Sequence, residues 1–339
     1  MRFLVLAVLA SCSDYDLSGN NDDPKGGRDP RDSATPDSDT IVDSGTTGTG
    51  GTTDTDDPDT DTVPDGKIDV VLVIDVAYWY DCYRVELPTR TQELVTALFD
   101  SGANVGVSIV TYDDYAVDGE WWVAYGGVPY VLDQQLSTSK DQVNAVAGGL
   151  EFNWGGDGPG TGYEAMLQVA TGRGYDQDCD GNFDADNDVK PYKADAGDAF
   201  GGGVNGVRDS SVPGTGSTPG VGFRDDSKRV VVVLAENSFR DRAYGNDVPS
   251  GTCESAASRS DAIAALNDAG AKFLGVNAYE YQDEDPTLQE QMEAVADGTS
   301  SKIDKDNDGA RDDVAVLNGS WDWPATPVIV RAIFDLADR

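Results

Sequence analysis

No histidine occurs in this chain of 339 residues, and that absence excludes more chemistry than any other single feature. It removes the commonest general base, the serine and cysteine triads built around it, and the usual zinc ligand. Basic residues are scarce as well. Lys and Arg number 24 against 62 Asp and Glu, for a formal charge of −38. That balance argues against nucleic acid as a partner, because phosphate neutralisation needs clustered Lys and Arg. The acidity suits either divalent-cation binding or a saline habitat, where surface carboxylates keep a protein soluble. Cysteine is sparse too: Cys12, Cys82, Cys179 and Cys253 are all there are. In an oxidising compartment the last three give one disulfide and one leftover thiol. All three pairings are open, with Cys179–Cys253 weakly favoured.

Long apolar runs are missing. The stretch from Phe3 to Ala10, after Met1-Arg2, is too short to cross a bilayer and reads as an export signal. It leads into Leu9-Ala10-Ser11-Cys12, which resembles the bacterial lipoprotein box. In that family cleavage precedes the cysteine, so residues 1–11 would be the signal peptide and Cys12 would carry lipid. The resemblance implies an exported protein, lipid-anchored at the bacterial cell envelope, on the outer membrane or cell surface. Residues 12–66 are almost wholly Asp, Thr, Gly, Ser and Pro, as in Thr46-Thr-Gly-Thr-Gly-Gly-Thr-Thr-Asp54. Without an apolar face they are expected to form a disordered tether. Some fifty such residues would hold a domain roughly 40 Å from its anchor.

From residue 67 to 339 the pattern changes to strands alternating with helices. The run Ile68-Asp-Val-Val-Leu-Val-Ile74 is the kind buried on both faces in a parallel sheet, and it ends on Asp75. An acid there points into the crevice where open α/β sheets hold ligands. Further strands are expected at 105–111, 229–234 and 272–277, with a hairpin-like segment from Trp121 to Leu132. Helices are expected near 87–101, from Ser139, after Thr161, at 259–269, 288–297 and from Pro327. Capping boxes are read at Ser139/Gln142 and Thr287/Glu290, with Thr326 capping the last helix. The fold class is α/β: a doubly wound, mainly parallel six-stranded sheet flanked by helices. Insertions interrupt it at about 174–228 and 300–313.

This order of parts resembles a von Willebrand factor type A domain over residues 67–338. In that family a first strand ending in Asp-x-Ser-x-Ser, a loop Thr and a Thr-Asp pair hold one Mg²⁺. That ion's open position takes a carboxylate from a partner protein. The corresponding positions here are Asp75, Ala77, Trp79, Thr161 and Glu236. Two hydroxyl ligands are absent, and hard cations need about six oxygens. The resemblance therefore implies a decayed site at which Mg²⁺ is not expected. Tyr78, Trp79, Tyr80 and Tyr83 beside it would be interface anchors if exposed and filler if buried.

Two aspartate ladders carry the stronger chemistry. One runs Asp176-Gln-Asp178-Cys-Asp180-Gly181 with Asp184, Asp186 and Asp188. The other runs Asp304-Lys-Asp306-Asn-Asp308-Gly309 with Asp312 and Asp313. Acids at positions one, three and five converge on one point, glycine at six permits the bend, and an acid at nine closes the shell. Both resemble the calcium loops of EF-hands, dockerins and thrombospondin type 3 repeats. They depart from them at position twelve, where Asn187 and Ala315 stand; Asp188 and Asp313 are the spare acids. The resemblance implies Ca²⁺ held at about 10⁻⁴–10⁻³ M, pinning loops rather than opening a helix pair.

Three functions follow from these features. The first is a surface-tethered, non-enzymatic binding or adhesion module for an unknown protein or glycan, with membrane contact through lipid on Cys12. The second is a calcium-stapled structural envelope protein without a specific ligand. The third is a hydrolase using Asp75 and Glu236 as a carboxylate pair, which needs a spacing of about 5–5.5 Å for retaining chemistry. It ranks last, since acids abound and nothing singles out that pair.

Overall fold

The computed structural model describes residues 64–77, 81–115, 129–151, 159–177, 179–181, 188–189, 211–218, 220–245, 256–278, 286–319 and 324–338, with backbone alone at 81–85. The elements run β1 (Lys67–Asp75), α1 (Asp81–Asp100), β2 (Asn104–Tyr112), β3 (Val131–Ser137), α2 (Lys140–Ala147), α3 (Gly162–Thr171) and β4 (Ser227–Ala235). They continue with α4 (Arg259–Asp268), β5 (Ala271–Asn277), α5 (Thr287–Gly298), β6 (Lys302–Ile303), β7 (Asp313–Val314), β8 (Val316–Asn318) and α6 (Thr326–Ala337).

Six strands form one sheet in the order β3-β2-β1-β4-β5-β8. Every pairing is parallel except β2 with β3. Helices α1, α2 and α6 pack together, and α3, α4 and α5 form a second group. With a helical layer on each face, the central strands have no solvent-facing side. Hence Val70 to Ile74 and Val230 to Leu234 are continuously apolar and fully buried. This is the doubly wound α/β sheet expected from the sequence.

Local readings needed correction. A strand forms at Val131–Ser137, antiparallel to β2, while most of the hairpin-like segment expected at Trp121–Leu132 falls in residues 116–128, outside the described set. Ser139 does cap α2, accepting from Gln142 N at 3.4 Å. The Gln142 side chain, however, accepts from Ser137 Oγ at 3.1 Å, so the box is one-sided. Thr287 and Thr326 are the first helical residues of α5 and α6, behind Pro286 and Ala325, and neither helix has a side-chain cap. The complete capping box is at Ser258 and Asp261 on α4, where each side chain accepts from the other's backbone N–H.

The tail of the long insertion is built into the sheet. Leu136 N donates to Val221 O at 2.9 Å and Thr138 N to Pro213 O at 2.7 Å, so this segment covers the open edge of β3. Next to it, Arg224 reaches the start of β1. Its Nε donates to Asp69 Oδ1 at 2.5 Å and its backbone N to Asp69 Oδ2 at 2.7 Å. Ser227 Oγ adds a bond to Asp69 Oδ2 at 2.8 Å, while Arg224 Nη1 and Nη2 bind Asn104 and Ile68. Residues 201–210 lie outside the described set.

Candidate functional site

Chain direction across the sheet reverses between β1 and β4, which places the topological switch point at their carboxyl ends. Register pairs Ile74 with Leu234, so Asp75 and Glu236 leave neighbouring strands side by side. Asp75 is 1% exposed. Its Oδ1 accepts from Ala77 N at 3.0 Å, and its Oδ2 from Asn237 N and Nδ2, each at 3.2 Å. Burial raises its pKa to about 6 against the pull of those hydrogen bonds. Glu236, 7% exposed, is raised to about 9 by burial and by the charge of Asp75. Near neutral pH the pair is one carboxylate, gripped by N–H donors, beside one neutral acid.

Thr161 precedes α3. Its hydroxyl lies 3.1 Å from Asp113 O and 2.8 Å from Pro129 O, and it donates to this carbonyl pair. Ala77 contributes only its backbone N–H, and Trp79 lies outside the described residues. The structure thus brings Asp75, Ala77 and Glu236 together and ties Thr161 to the loop after β2. Both Asp75 oxygens already accept hydrogen bonds, and position 77 offers no hydroxyl. The described side chains here therefore fall short of the oxygen shell that a hard cation takes.

Neighbouring polar groups are also occupied. Gly160 N donates to Ser238 O and Arg240 N to Gly160 O, each at 2.9 Å, adding a parallel bridge above the sheet. Gln291 of α5 clamps Phe239, accepting from its N at 2.7 Å and donating to its O at 2.8 Å. Arg240 grips Asp114 with Nε and Nη2. Glu164, fully buried, accepts from Gln168 Nε2 at 2.6 Å and from Ala257 N at 2.8 Å, and burial raises its pKa. Asn237 is the residue that the sequence reading missed. An amide following the strand-end acid was the available signal.

The two aspartate loops match in backbone φ at positions four and six. At position four Cys179 has φ 60° and Asn307 φ 64°; at position six Gly181 has φ 84° and Gly309 φ 88°. Left-handed values of this kind favour glycine and explain the invariant spacing of the bend. In each loop the first acid reaches across: Asp176 Oδ2 accepts from Gly181 N at 2.8 Å, and Asp304 Oδ2 from Gly309 N at 2.9 Å. Carboxylate oxygens of Asp304, Asp306 and Asp308 lie within 4.8 Å of one another. Asp312 follows them before β7. The spare Asp313 accepts from Lys305 N through Oδ2 at 2.9 Å. Ala315, at position twelve, is buried in the core. In the first loop Asp188 folds back, accepting from Gln177 N at 2.8 Å beside the Tyr175–Val189 bridge. Asp178, Asp184 and Asp186 lie outside the described residues.

No protein-family model matches the chain, and no curated protein matches it. Among solved structures it is similar to proximal thread matrix protein 1 from the mussel byssus, at 10% identity and a TM-score of 0.41. The alignment covers 80% of this chain and 46% of that one, so this chain spans about half the length of its neighbour. A likeness of that size carries no argument. The fold rests on the strand order itself.

Cys179 is disulfide-bonded, and no free cysteine occurs among the described residues. Cys12 and Cys253, the side chains of Cys82 and Tyr83, and residues Tyr78 to Tyr80 fall outside the described set. No described helix is long and apolar enough to cross a membrane.

Proposed function

We propose that this chain is a non-enzymatic, von Willebrand factor type A-like binding module, exported and tethered through lipid on Cys12, with Ca²⁺ pinning its two aspartate loops. The observation that carries this reading is the occupied carboxyl edge. Asp75 sits at the switch point, yet its oxygens are held by Ala77 and Asn237. A buried, self-satisfied acid pair supports a fold retained without the ion chemistry of an intact adhesion site. It also argues against Asp75 and Glu236 as hydrolytic groups, because a sugar needs solvent-open access to both. Engagement of a protein or glycan then falls to the surrounding loops.

The test is a binding screen of the full chain against envelope proteins and glycans, in Mg²⁺ and in Mg²⁺-free buffer. The ligand found is expected to bind equally in both and to tolerate Asp75→Asn. Isothermal titration is expected to show no micromolar Mg²⁺ site. A micromolar Mg²⁺ site abolished by Asp75→Ala would overturn the decayed-site reading.

Two further outcomes follow. Ca²⁺ at about ten times its Kd is expected to stabilise the domain by about 1.4 kcal/mol per loop, from RT ln(1 + [L]/Kd). Converting Asp176, Asp178, Asp304 and Asp306 to Asn should erase that rise in Tm. A Tm indifferent to EDTA would count against the loops as ion sites. For the anchor, Cys12→Ser should move the protein from membrane to soluble fractions. Continued membrane retention would point to an uncleaved N-terminus instead.

A further inference from the structure

Strand β3 is one edge of the sheet. A strand in that position turns backbone N–H and C=O groups outward, where another chain can pair with them. Three of those groups are taken here by the segment that leads into β4. Leu136 N donates to Val221 O at 2.9 Å, and Thr138 N to Pro213 O at 2.7 Å. Thr215 Oγ1 donates to Leu136 O at 2.6 Å and accepts from Gln135 Nε2 at 2.8 Å. None of the described residues 211–218 and 220–224 is in a strand, so the edge is covered without the sheet being extended. Glycines make the fit possible. A Cβ on Gly220 would stand 2.1 Å from Val169 O, and one on Gly214 2.4 Å from the Thr138 side chain. Both have left-handed φ, 84° and 83°, which also disfavours any other residue.

The positions of the three groups show what would otherwise use them. Leu136 presents both its N and its O to the open side, and Thr138 N follows two residues on. Opposed residues in an antiparallel pair can exchange both N–H···O bonds. A two-fold axis through Ser137 sets Leu136 against Thr138 of a second copy, and Thr138 against its Leu136. That pairing needs the groups now covered, and residues 136–138 carry no charge to oppose it. A contact of this kind is isologous and closes at two copies. The formal charge of −38 works against it, because two copies repel. Such repulsion reaches roughly 10 Å at 0.1 M salt but only roughly 3 Å at 1 M. The hydrogen bonds of the covering segment are short-ranged and do not fade in the same way.

We propose that the segment leading into β4 guards the β3 edge against pairing with a second copy of this chain, and that this guard takes over where salt screens the charge. At low salt the charge and the segment act together. At high salt the segment acts alone.

The test is sedimentation of the full chain at about 0.1 M and about 1 M NaCl in EDTA, every form carrying Cys12→Ser so that lipid plays no part. The parent protein is expected to be monomeric in both. Gly220→Val cannot seat the segment, and it is expected to be monomeric in low salt and dimeric in high salt. Where Gly220→Val does not fold, Gly214→Val/Thr215→Val takes its place, freeing Leu136 O and Thr138 N while Val221 and Phe223 stay in the core. In the dimer the Thr138 amide should exchange about tenfold more slowly in high salt than in low. Adding Thr138→Pro removes that donor from the edge and should return the variant to monomer. A folded variant that stays monomeric in high salt overturns the proposal, as does a parent protein that dimerises there. A dimer without slowed exchange at Thr138, or one that Thr138→Pro leaves intact, also overturns it, since the contact would lie elsewhere. Unfolding of both variants in low salt overturns it too, because the segment would then be part of the core.

Discussion

Raising the pH from 6 to 9 is expected to destabilise this domain, and Glu236→Gln is expected to remove most of that loss. Glu236 has its pKa raised from 4.5 to about 9, first by burial and then by the charge of Asp75. A group whose pKa is higher in the folded state takes up a proton on folding. Its stabilising contribution is complete below the unfolded value and is lost as pH climbs through the folded one. Asp75 and Asp133, both raised to about 6 by burial, lose theirs earlier, between about pH 4 and 6. Histidine, which normally titrates between 6 and 9, is absent. Glu164 is also raised by burial, so the Glu236 contribution is read as the difference between the protein and its Glu236→Gln variant. At about 1.36 kcal/mol per pH unit, the loss is on the order of 4 kcal/mol, or roughly 10 °C in Tm. Urea midpoints of the two proteins at pH 6 and pH 9, both in EDTA, decide the matter. Parallel losses would show that Glu236 does not hold its proton.

The same pair explains why the site was only partly legible from sequence. The continuous run from Ile68 to Ile74 gave away a strand covered on both faces, and Asp75 at its end marked the crevice. Whether that acid would face an ion or the protein's own backbone depended on Asn237, a residue 162 positions away. No local pattern encodes that contact. Local patterns misled in smaller ways too. Thr287 and Thr326 match a cap signature, but a cap needs extended backbone, and both already sit within the helix. The strands β6, β7 and β8, two or three residues each, are too short to show any periodicity. The glycines of the aspartate ladders, by contrast, were readable because their spacing dictates a left-handed bend, and both loops adopt it.

Asp69 is a charge within an apolar strand for which the sequence offered no partner. It lies fully buried at the start of β1, and Arg224 is largely buried against it. Both oxygens of Asp69 accept hydrogen bonds, from Arg224 N, Arg224 Nε and Ser227 Oγ. The rest of the guanidinium is bound by Asn104 and the Ile68 carbonyl. Packing leaves no slack for another arrangement, as a Cβ on Gly106 would stand 3.2 Å from Asp69 Oδ1 and 3.3 Å from the guanidinium carbon. Removing one partner strands a charge where water cannot reach it. Arg224→Met is therefore expected to cost about 3–5 kcal/mol, read as a fall in urea midpoint. Asp69→Leu alone should cost as much, leaving the guanidinium unpaired. The double variant Asp69→Leu/Arg224→Met should recover most of either loss, because a buried pair replaced by apolar groups is often close to neutral. Additive losses in the double variant would mean that the pair acts by packing rather than by charge. Loss of Arg224 should also release the segment that covers β3, so protease cleavage between residues 211 and 223 should rise with Arg224→Met and stay low in the double variant only if apolar contact alone holds that segment down.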